Sequence, residues 1–588
     1  MTKGKRIKKF VISIVITVVI GLIMDYLWPT PWNLHSMSTW FKTIILLFLF
    51  SGINALNFMV GMTKYDMKYV EKEVSFPFFI PIALGIIMVI GGLTGAEIFN
   101  SKRYASIISV EKVDSTSLIL SEEDAESIAL MDTASAKQLG DREIGAIENF
   151  SAFNVSNDYV QLNVNGDAVK VAPLEYAGFF KWMKNKDKGV AGYVSVSPTT
   201  MTADYVELEE GMQYVRSAYF SKDLNRHIHY QYPTLMYGNT HFEIDEDGKP
   251  FYVSSVYSKT IGLFGGEVVT GCIVTDPVSG ESQYYDLADT PQWVDNVVHG
   301  DLICSLYNVA YKNVNGFWNG TSFGANTGCM QTTTVNYVSA AEESDEEEED
   351  EIEAGTDFGY IAKDGDIYIY TGVTSMAADS SNLGFIMVNE RTGEYKYFPV
   401  SGANEQSAMN AAEGEVQQYS YQASFPTLIN VDDELTYIGV LKDNSGLVKM
   451  YYMVNVKDYG KVAVATTREE CVQNYAKRVG LSLNDALLDG MDIEEETIEE
   501  DEITEEPVTF TISVIQYVDI DGNTYVYLGT SEQKVYKALF ADNEELLFAE
   551  VGDTVKGTVS KEILSIGEIS NEKISNEEIL NEETDENL

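Results

Sequence analysis

After about residue 100 the chain has no long apolar run, and basic side chains are scarce throughout: 40 Lys and Arg face 90 Asp and Glu, a formal net charge of −50. Five histidines, four cysteines and 13 prolines are spread over 588 residues. Each shortage excludes something. Nucleic acid is excluded as a partner because phosphate contacts need clustered cations, and an anionic lipid surface is expected to repel the acidic part of the chain. Four cysteines, Cys272, Cys304, Cys329 and Cys471, are too few for a disulfide scaffold. They allow two bridges in three connectivities, or free buried thiols. No HExxH or similar zinc signature, no G-x-S-x-G elbow and no phosphate-cradling P-loop occurs. No metal, cofactor or catalytic residue is therefore assigned.

What is present begins with three apolar stretches, Phe10 to about Trp28, Thr43 to Met62 and Phe76 to Phe99. Each is close to the roughly 20 residues that cross a ~30 Å hydrocarbon layer as a helix. Lys3, Lys5, Arg6, Lys8 and Lys9 precede the first, and Lys64, Lys68 and Lys72 separate the second from the third. Only Lys42 lies between the first and second. Basic residues resist translocation, so the expected topology is a plasma-membrane anchor at 1–100 with a cytoplasmic N-terminus and an extracytoplasmic body. Lys102 and Arg103 oppose this weakly. Ser51, Asn54 and Asn57 in the second stretch need partners between helices; a re-entrant second stretch would turn the body inward. A cleaved signal peptide is the rival reading of the first stretch, which is long and lacks a small-residue cleavage site.

Acidic runs divide the body. Glu342–Glu353 carries ten acids and Asp489–Glu506 eleven, without a base; such blocks repel themselves and read as solvated segments. The expected units are 101–210, 211–340 and 357–488, with an acidic loop at 341–356 and a linker at 489–507.

A pattern recurs within these units. Gly192–Leu208 (GYVSVSPTTMTADYVEL), Gly271–Leu287 (GCIVTDPVSGESQYYDL) and Gly384–Val400 (GFIMVNERTGEYKYFPV) align without gaps as strand, polar tetrad, strand. Asp276-Pro277 with Gly280, and Asn389 with Gly393, supply turn chemistry. A partial fourth copy is Gly439–Val454. Asp247-Gly248 and Asp364-Gly365 each precede a Tyr-rich strand. Helices are expected from Ser121 to Leu139 ending at Gly140, from Leu174 to Lys184 after Pro173, and after Pro291 through Trp293, Val294, Val297, Leu302 and Ile303. The unit is thus helix then antiparallel meander, which must stack to bury both faces.

The segments IVTDPVSGESQYY and IMVNERTGEYKYF resemble the signature of the PepSY module, an α+β domain of extracytoplasmic bacterial proteins and protease propeptides. The likeness spans about 17 residues per copy with the preceding helix and strand, between about Glu122 and Ala465. The first copy departs from it at Ser197 and Met201. The resemblance implies a non-catalytic domain that binds or restrains a peptidase or another secreted protein.

At 508–562 short alternating strands closed by VGDTVKGTV look like an OB-type barrel. Asp519 to Asn523 reads as a β-turn rather than a calcium loop, since Thr530 stands where a bidentate Glu would be needed. The residues 563–588 read as a disordered low-complexity tail. Among candidate sites, His227 and His229 share a face only if extended, and no third metal ligand accompanies them. His299 and Cys304 lack an orienting group, and Tyr370–Ser375 reads as strand. Phe317, Trp318 and Asn319 sit in a Gly/Asn-rich loop, where exposed rings would make a partner or glycan contact and buried rings would belong to the core, the commoner case.

The fold class expected is α+β: three transmembrane helices, stacked PepSY-like units and a small OB-like barrel. The function expected is an envelope binding or regulatory protein acting on a secreted peptidase, a secreted chain or a cell-wall polymer. The rivals are a structural envelope scaffold and a hydrolase whose site is assembled across the repeats from unpatterned residues.

Overall fold

The computed structural model describes residues 3–60, 64–113, 131, 133–144, 150–337, 353–356, 358–363, 365–431, 434–443, 446–480 and 506–570, less 521–522, 532–533, 540–542, 544–545, 547–548, 550 and 561–562. The chain divides into two units, 1–491 and 492–588.

The first unit opens with helices α1 (Lys3–Leu27), α2 (Met37–Met59) and α3 (Lys64–Thr94). Gly4–Leu27, Met37–Met59 and Val74–Thr94 are long and apolar enough to cross a membrane. The polar residues of the second helix find partners, as a lipid surround demands. Asn57 Nδ2 donates to Lys9 O at 2.8 Å and to Ser13 Oγ at 3.2 Å, while Ser51 Oγ returns to Leu47 O at 2.8 Å. Lys9 Nζ donates to the carbonyls of Asn57 and Val60, each at 2.7 Å, at the C-terminal end of α2. These bonds pin the start of α1 to the end of α2, so the two run antiparallel along their whole length.

A short helix, α4 (Glu97–Tyr104), follows the anchor. Helix-then-meander units come next. The first joins α5 (Thr133–Ile144) to strands β1 (Val160–Val164), β2 (Asp167–Tyr176), β3 (Val190–Ser197) and β4 (Thr202–Met212), with the seven-residue α6 (Phe179–Asn185) between β2 and β3. The second joins α7 (Leu224–Gln231) to β5 (Met236–Ile244), β6 (Pro250–Ile261), β7 (Gly265–Thr275) and β8 (Ser282–Asp286). The third joins α8 (Gly300–Lys312) to β9 (Gly359–Lys363), β10 (Asp366–Ser375), β11 (Ala378–Asn389) and β12 (Tyr395–Phe398). The fourth joins α9 (Glu405–Glu415) to β13 (Thr427–Val431), β14 (Glu434–Lys442), β15 (Val448–Asn455) and β16 (Val462–Ala465), and α10 (Arg468–Val479) closes the series. Every meander pairs antiparallel between sequence neighbours. The segment Gly439–Val454 thus lies in a four-stranded meander with its own leading helix. Val110–Lys112, just after the anchor, pairs in parallel with Tyr395–Tyr397 at the edge of the third sheet.

The units stack. Leu162, Val194 and Val196 of the first sheet share a core with Ile228 of α7 and with Phe242 and Tyr252 of the second. The second sheet's other face, Val253 and Cys272, meets Ile303 and Tyr307 of α8, which also covers Ile369 and Val388 of the third. Tyr370 and Phe385 on the opposite face of that third sheet join α9, the fourth sheet and Cys471 of α10. Each copy also repeats one pair of residues, a strand glycine and a tyrosine 13 positions on: Gly192 and Tyr205, Gly271 and Tyr284, Gly384 and Tyr397, Gly439 and Tyr452. A Cβ at these glycines would lie 2.6 to 3.0 Å from its tyrosine. The missing side chain leaves room for the cross-strand ring.

Several expectations need correction. Gly140 does not end a helix: α5 runs through it, and the bare Cα admits the side chains of Tyr159 and Val194. The part of the expected helix at 121–130 lies outside the described residues, as do 342–352, 489–505, Asp364, the Asp521-Gly522 turn and 571–588. Pro173 to Tyr176 belongs to β2, and only Phe179–Asn185 is helical. No helix starts at Pro291; α8 starts at Gly300, because the amides before it are bonded elsewhere. Asp295 and Asn296 N–H donate to Glu243, and those of Val297 and Val298 donate to Glu390 O. All four cysteines are buried thiols outside any disulfide.

The second unit is a six-stranded sheet of β17 (Glu506–Thr511), β18 (Val514–Ile520), β19 (Asn523–Gly529), β20 (Val535–Leu539), β21 (Thr554–Ser560) and β22 (Ile563–Ser570), ordered β17-β21-β22-β20-β19-β18. Val526, Leu528, Ala538 and Val555 form its core. The start of the expected disordered tail is therefore a strand: β22 pairs with β21 along its length.

Candidate functional site at the junction of body and anchor

The loop between α1 and α2 and the end of α3 are bonded to the second meander. Trp32 N–H donates to Pro233 O at 2.7 Å, Asn33 Nδ2 to Thr234 O at 3.1 Å, and His35 Nδ1 lies 2.8 Å from Leu263 O. Arg226 of α7 donates from Nε to Tyr26 O at 2.9 Å, and its guanidinium lies over the Tyr26 ring. On the other flank Arg103 of α4 donates to Thr260 O, and Tyr104 Oη to Gly95 O at 2.7 Å. The turn between β6 and β7 closes on Gly95 so tightly that a Cβ at Gly262 would sit 2.5 Å from Gly95 N.

Beneath this contact lies a charge cluster. Lys42, 1% exposed, pairs with Asp25 and also donates to Trp28 O at 3.2 Å. His229 Nε2 is 3.7 Å from the second Asp25 oxygen. Burial lowers the His229 pKa; Asp25 raises it and Lys42 lowers it further, and the net shift is downward. Asp25 thus joins α1, α2 and α7 through one carboxylate.

Above it a half-open cleft of about 480 Å³ is lined by Pro29, Pro31, Asp158, Arg216, His229 and Tyr237, among others. Arg216 Nη2 donates to Asp158 Oδ2 at 2.6 Å, while its buried Nε has no partner among the described residues. The lining is polar and of mixed charge. It presents hydrogen-bond donors from Arg216 and acceptors from Asp158.

A second set of ionisable groups is sealed inside. Glu243, fully buried on β5, accepts the N–H groups of Asp295 at 3.0 Å and Asn296 at 2.9 Å, and bonds His241 Nε2 at 2.8 Å. Asp295 Oδ2 accepts Asn163 N–H at 2.6 Å. Burial, reinforced by neighbouring carboxylates, pushes Asp295 and Glu390 well above the ordinary carboxylate range. These three carboxyl groups lie at 0 to 1% exposure, sealed from any solute. The Glu243 and Asp295 carboxyl groups and the Glu390 backbone carbonyl join the first three meanders through the 290–299 strap.

The residues singled out in the sequence fare differently. Trp318 is 66% exposed in a short 3-10 turn, Phe317–Gly320. Phe317 is half-buried and packs edge-on to it. Asn319 is turned inward, donating to Thr327 O at 3.0 Å and to Cys329 Sγ at 3.1 Å, so it shapes the loop. His227 and His229 lie on a helix: His227 bonds Gly280 O and stacks on Tyr214, while His229 faces Asp25. Among the described residues no group of three or more His, Cys, Asp and Glu is placed to hold a metal. Sequence reading passed over Asp25 and Arg216. An acid at the end of an apolar span, with one lysine across the loop, was the available signal for the first; Arg216 had none.

No protein-family model matches the chain, and no curated protein is similar to it. Among solved structures, a levansucrase of B. megaterium aligns over 79% of this chain and 97% of its own at 10% identity, with a TM-score of 0.17. An exo-β-1,3-galactanase of Phanerochaete chrysosporium aligns over 64% and 78% at 10% identity, with a TM-score of 0.15. Scores this low mark no common fold. The chain is a mixed α+β protein with several antiparallel sheets and three N-terminal helices long and apolar enough to span a membrane.

Proposed function

We propose that this chain is a membrane-anchored binding protein of the bacterial envelope. Its stacked, PepSY-like units stand outside the cytoplasm and hold a secreted peptidase, a secreted chain or a wall polymer at the junction cleft. The observation that carries this reading is the seating of the second meander on the ends of three apolar helices, with an open polar cleft at that seam. The cluster of lysines before α1 and between α2 and α3 supports a cytoplasmic side opposite the body. The repeat of helix and meander supports the PepSY comparison; we read the second unit, six strands in one sheet, as an OB-like module used for protein contact. The hydrolase reading draws no support from Glu243, Asp295 and Glu390, which are sealed from solutes.

The test has two arms. Protease added to intact cells should remove the body, and a photo-crosslinking residue at Asn239 in the cleft should capture an extracytoplasmic protein or glycan, with loss of the adduct in Arg216→Ala. Protection of the body until the membrane is opened, or crosslinks only to cytoplasmic proteins, overturns the reading.

A further inference from the structure

The strongly acidic composition conceals one basic, aromatic face. Helix α6 and the turn after it read FFKWMKNKDK, with Lys181, Lys184, Lys186 and Lys188 against the single acid Asp187. None of these four lysines has a carboxylate within ion-pair distance among the described residues. Beside them is an aromatic cluster: Phe179 lies 5.1 Å from Tyr219 and 5.6 Å from Phe180, and Trp182 lies 5.7 Å from Phe220, centroid to centroid. Its outer surface is left to solvent, with Phe180 79% exposed, Phe220 55% and Met183 46%. Exposed rings beside unpaired lysines are costly to leave bare and mark an interaction surface.

The position of this face names its partner. The Arg226 guanidinium bonds Tyr26 O through Nε and Phe220 O through Nη1, so Phe220 is one guanidinium away from the last turn of α1. The span Gly4–Leu27 has 24 residues, about 36 Å as a helix, which exceeds a ~30 Å hydrocarbon core. Tyr26 therefore stands at headgroup depth, and the patch begins beside it. Aromatic rings and lysine stems of this kind lie at the boundary between headgroups and acyl chains, with the ammonium groups among lipid phosphates. We propose that the α6 face is an interfacial seat that binds anionic phospholipid of the membrane crossed by the chain's own helices. The repulsion expected between an acidic body and such lipid is offset locally, because Lys181, Lys184, Lys186 and Lys188 face the single acid Asp187 within this segment. The inference is independent of which side of the membrane the body occupies.

The full chain carrying Phe180→Cys, labelled there with a polarity-sensitive fluorophore, would be reconstituted into phosphatidylcholine liposomes with and without phosphatidylglycerol. The four native thiols are buried, which confines the label to the new site. The expected result is quenching by a headgroup-level nitroxide lipid that rises at least twofold with phosphatidylglycerol, together with matching protection from aqueous iodide. Adding Lys184→Glu, Lys186→Glu and Lys188→Glu should abolish the rise. Equal lipid quenching in both compositions, or a label open to iodide in both, overturns the proposal. The second outcome would leave the face to a protein partner.

Discussion

Glu243 accepts the backbone N–H of Asn296 at 2.9 Å across 53 residues of sequence, and this bond holds an irregular strap where the local pattern predicts a helix. The same carboxyl group takes the N–H of Asp295 and the His241 ring, so it substitutes for the intrahelical acceptors that 291–299 lacks. Glu243→Gln keeps the volume but turns an amide toward these donors. We expect a loss of about 1–3 kcal/mol, read as a lowered denaturation midpoint in micelles, with faster proteolysis within 290–299. A midpoint equal to that of the unaltered chain would remove Glu243 from this role.

The sealed acids set a pH dependence. Burial and like charge raise Asp295 and Glu390, so the folded chain keeps protons there that the unfolded chain has released. Folding then takes up protons, and the associated stability is full below the ordinary carboxylate range and is lost as pH rises through the raised values. His241 adds to this: burial lowers it, but its bond to Glu243 wins and raises it above 6.5, so its contribution also fades with rising pH. Between about pH 5 and about pH 8 the thermal midpoint of Glu390→Gln should rise relative to that of the unaltered chain, because His229 and His299, lowered by burial, act with the opposite sign in both proteins alike. Parallel profiles for the two proteins would contradict this.

The repeated glycine–tyrosine pairs predict opposite signs for two alanine substitutions. Gly384→Ala drives a methyl against the Phe398 carbonyl oxygen, the nearest atom, and the Tyr397 ring at 2.7 Å, and should cost about 1–3 kcal/mol. Gly414→Ala, on the exposed end of α9 with nothing within 4 Å, should add up to about 1 kcal/mol through helix propensity. Chemical denaturation of the two variants side by side measures the contrast; two shifts of one sign would count against it.

Thiol chemistry is expected to be silent in the folded protein. Burial pushes the Cys272 and Cys471 thiols up to about 12 and raises Cys329 as well, which suppresses the thiolate that reacts. An aromatic disulfide reagent should titrate no thiol before unfolding and four after it. Fewer than four after unfolding would reveal a bridge.

Much of the repeat was legible because hairpins are local. Asp276 and Asn389 place their side-chain oxygens on the amides two and three residues later, and Gly280 and Gly393 take the positive φ each reversal needs. The three apolar spans were legible for the same reason, since length and composition suffice. What was illegible depends on distant partners. The 290–299 strap reads as helix until Glu243 and Glu390 are known to take its amides, and Pro173 reads as a helix start although it sits in a buried strand. Lys42 served as an orientation signal without showing that it is buried against Asp25. The α6 lysines were invisible to a net charge summed over the whole body.

Gly95, Gly262 and Gly265 bring two backbones together with no side chain between them, and such a joint has no slack for a swivel. On the reading proposed above, a ligand in the cleft would be presented at a set height over the bilayer, and reach would select it as much as chemistry.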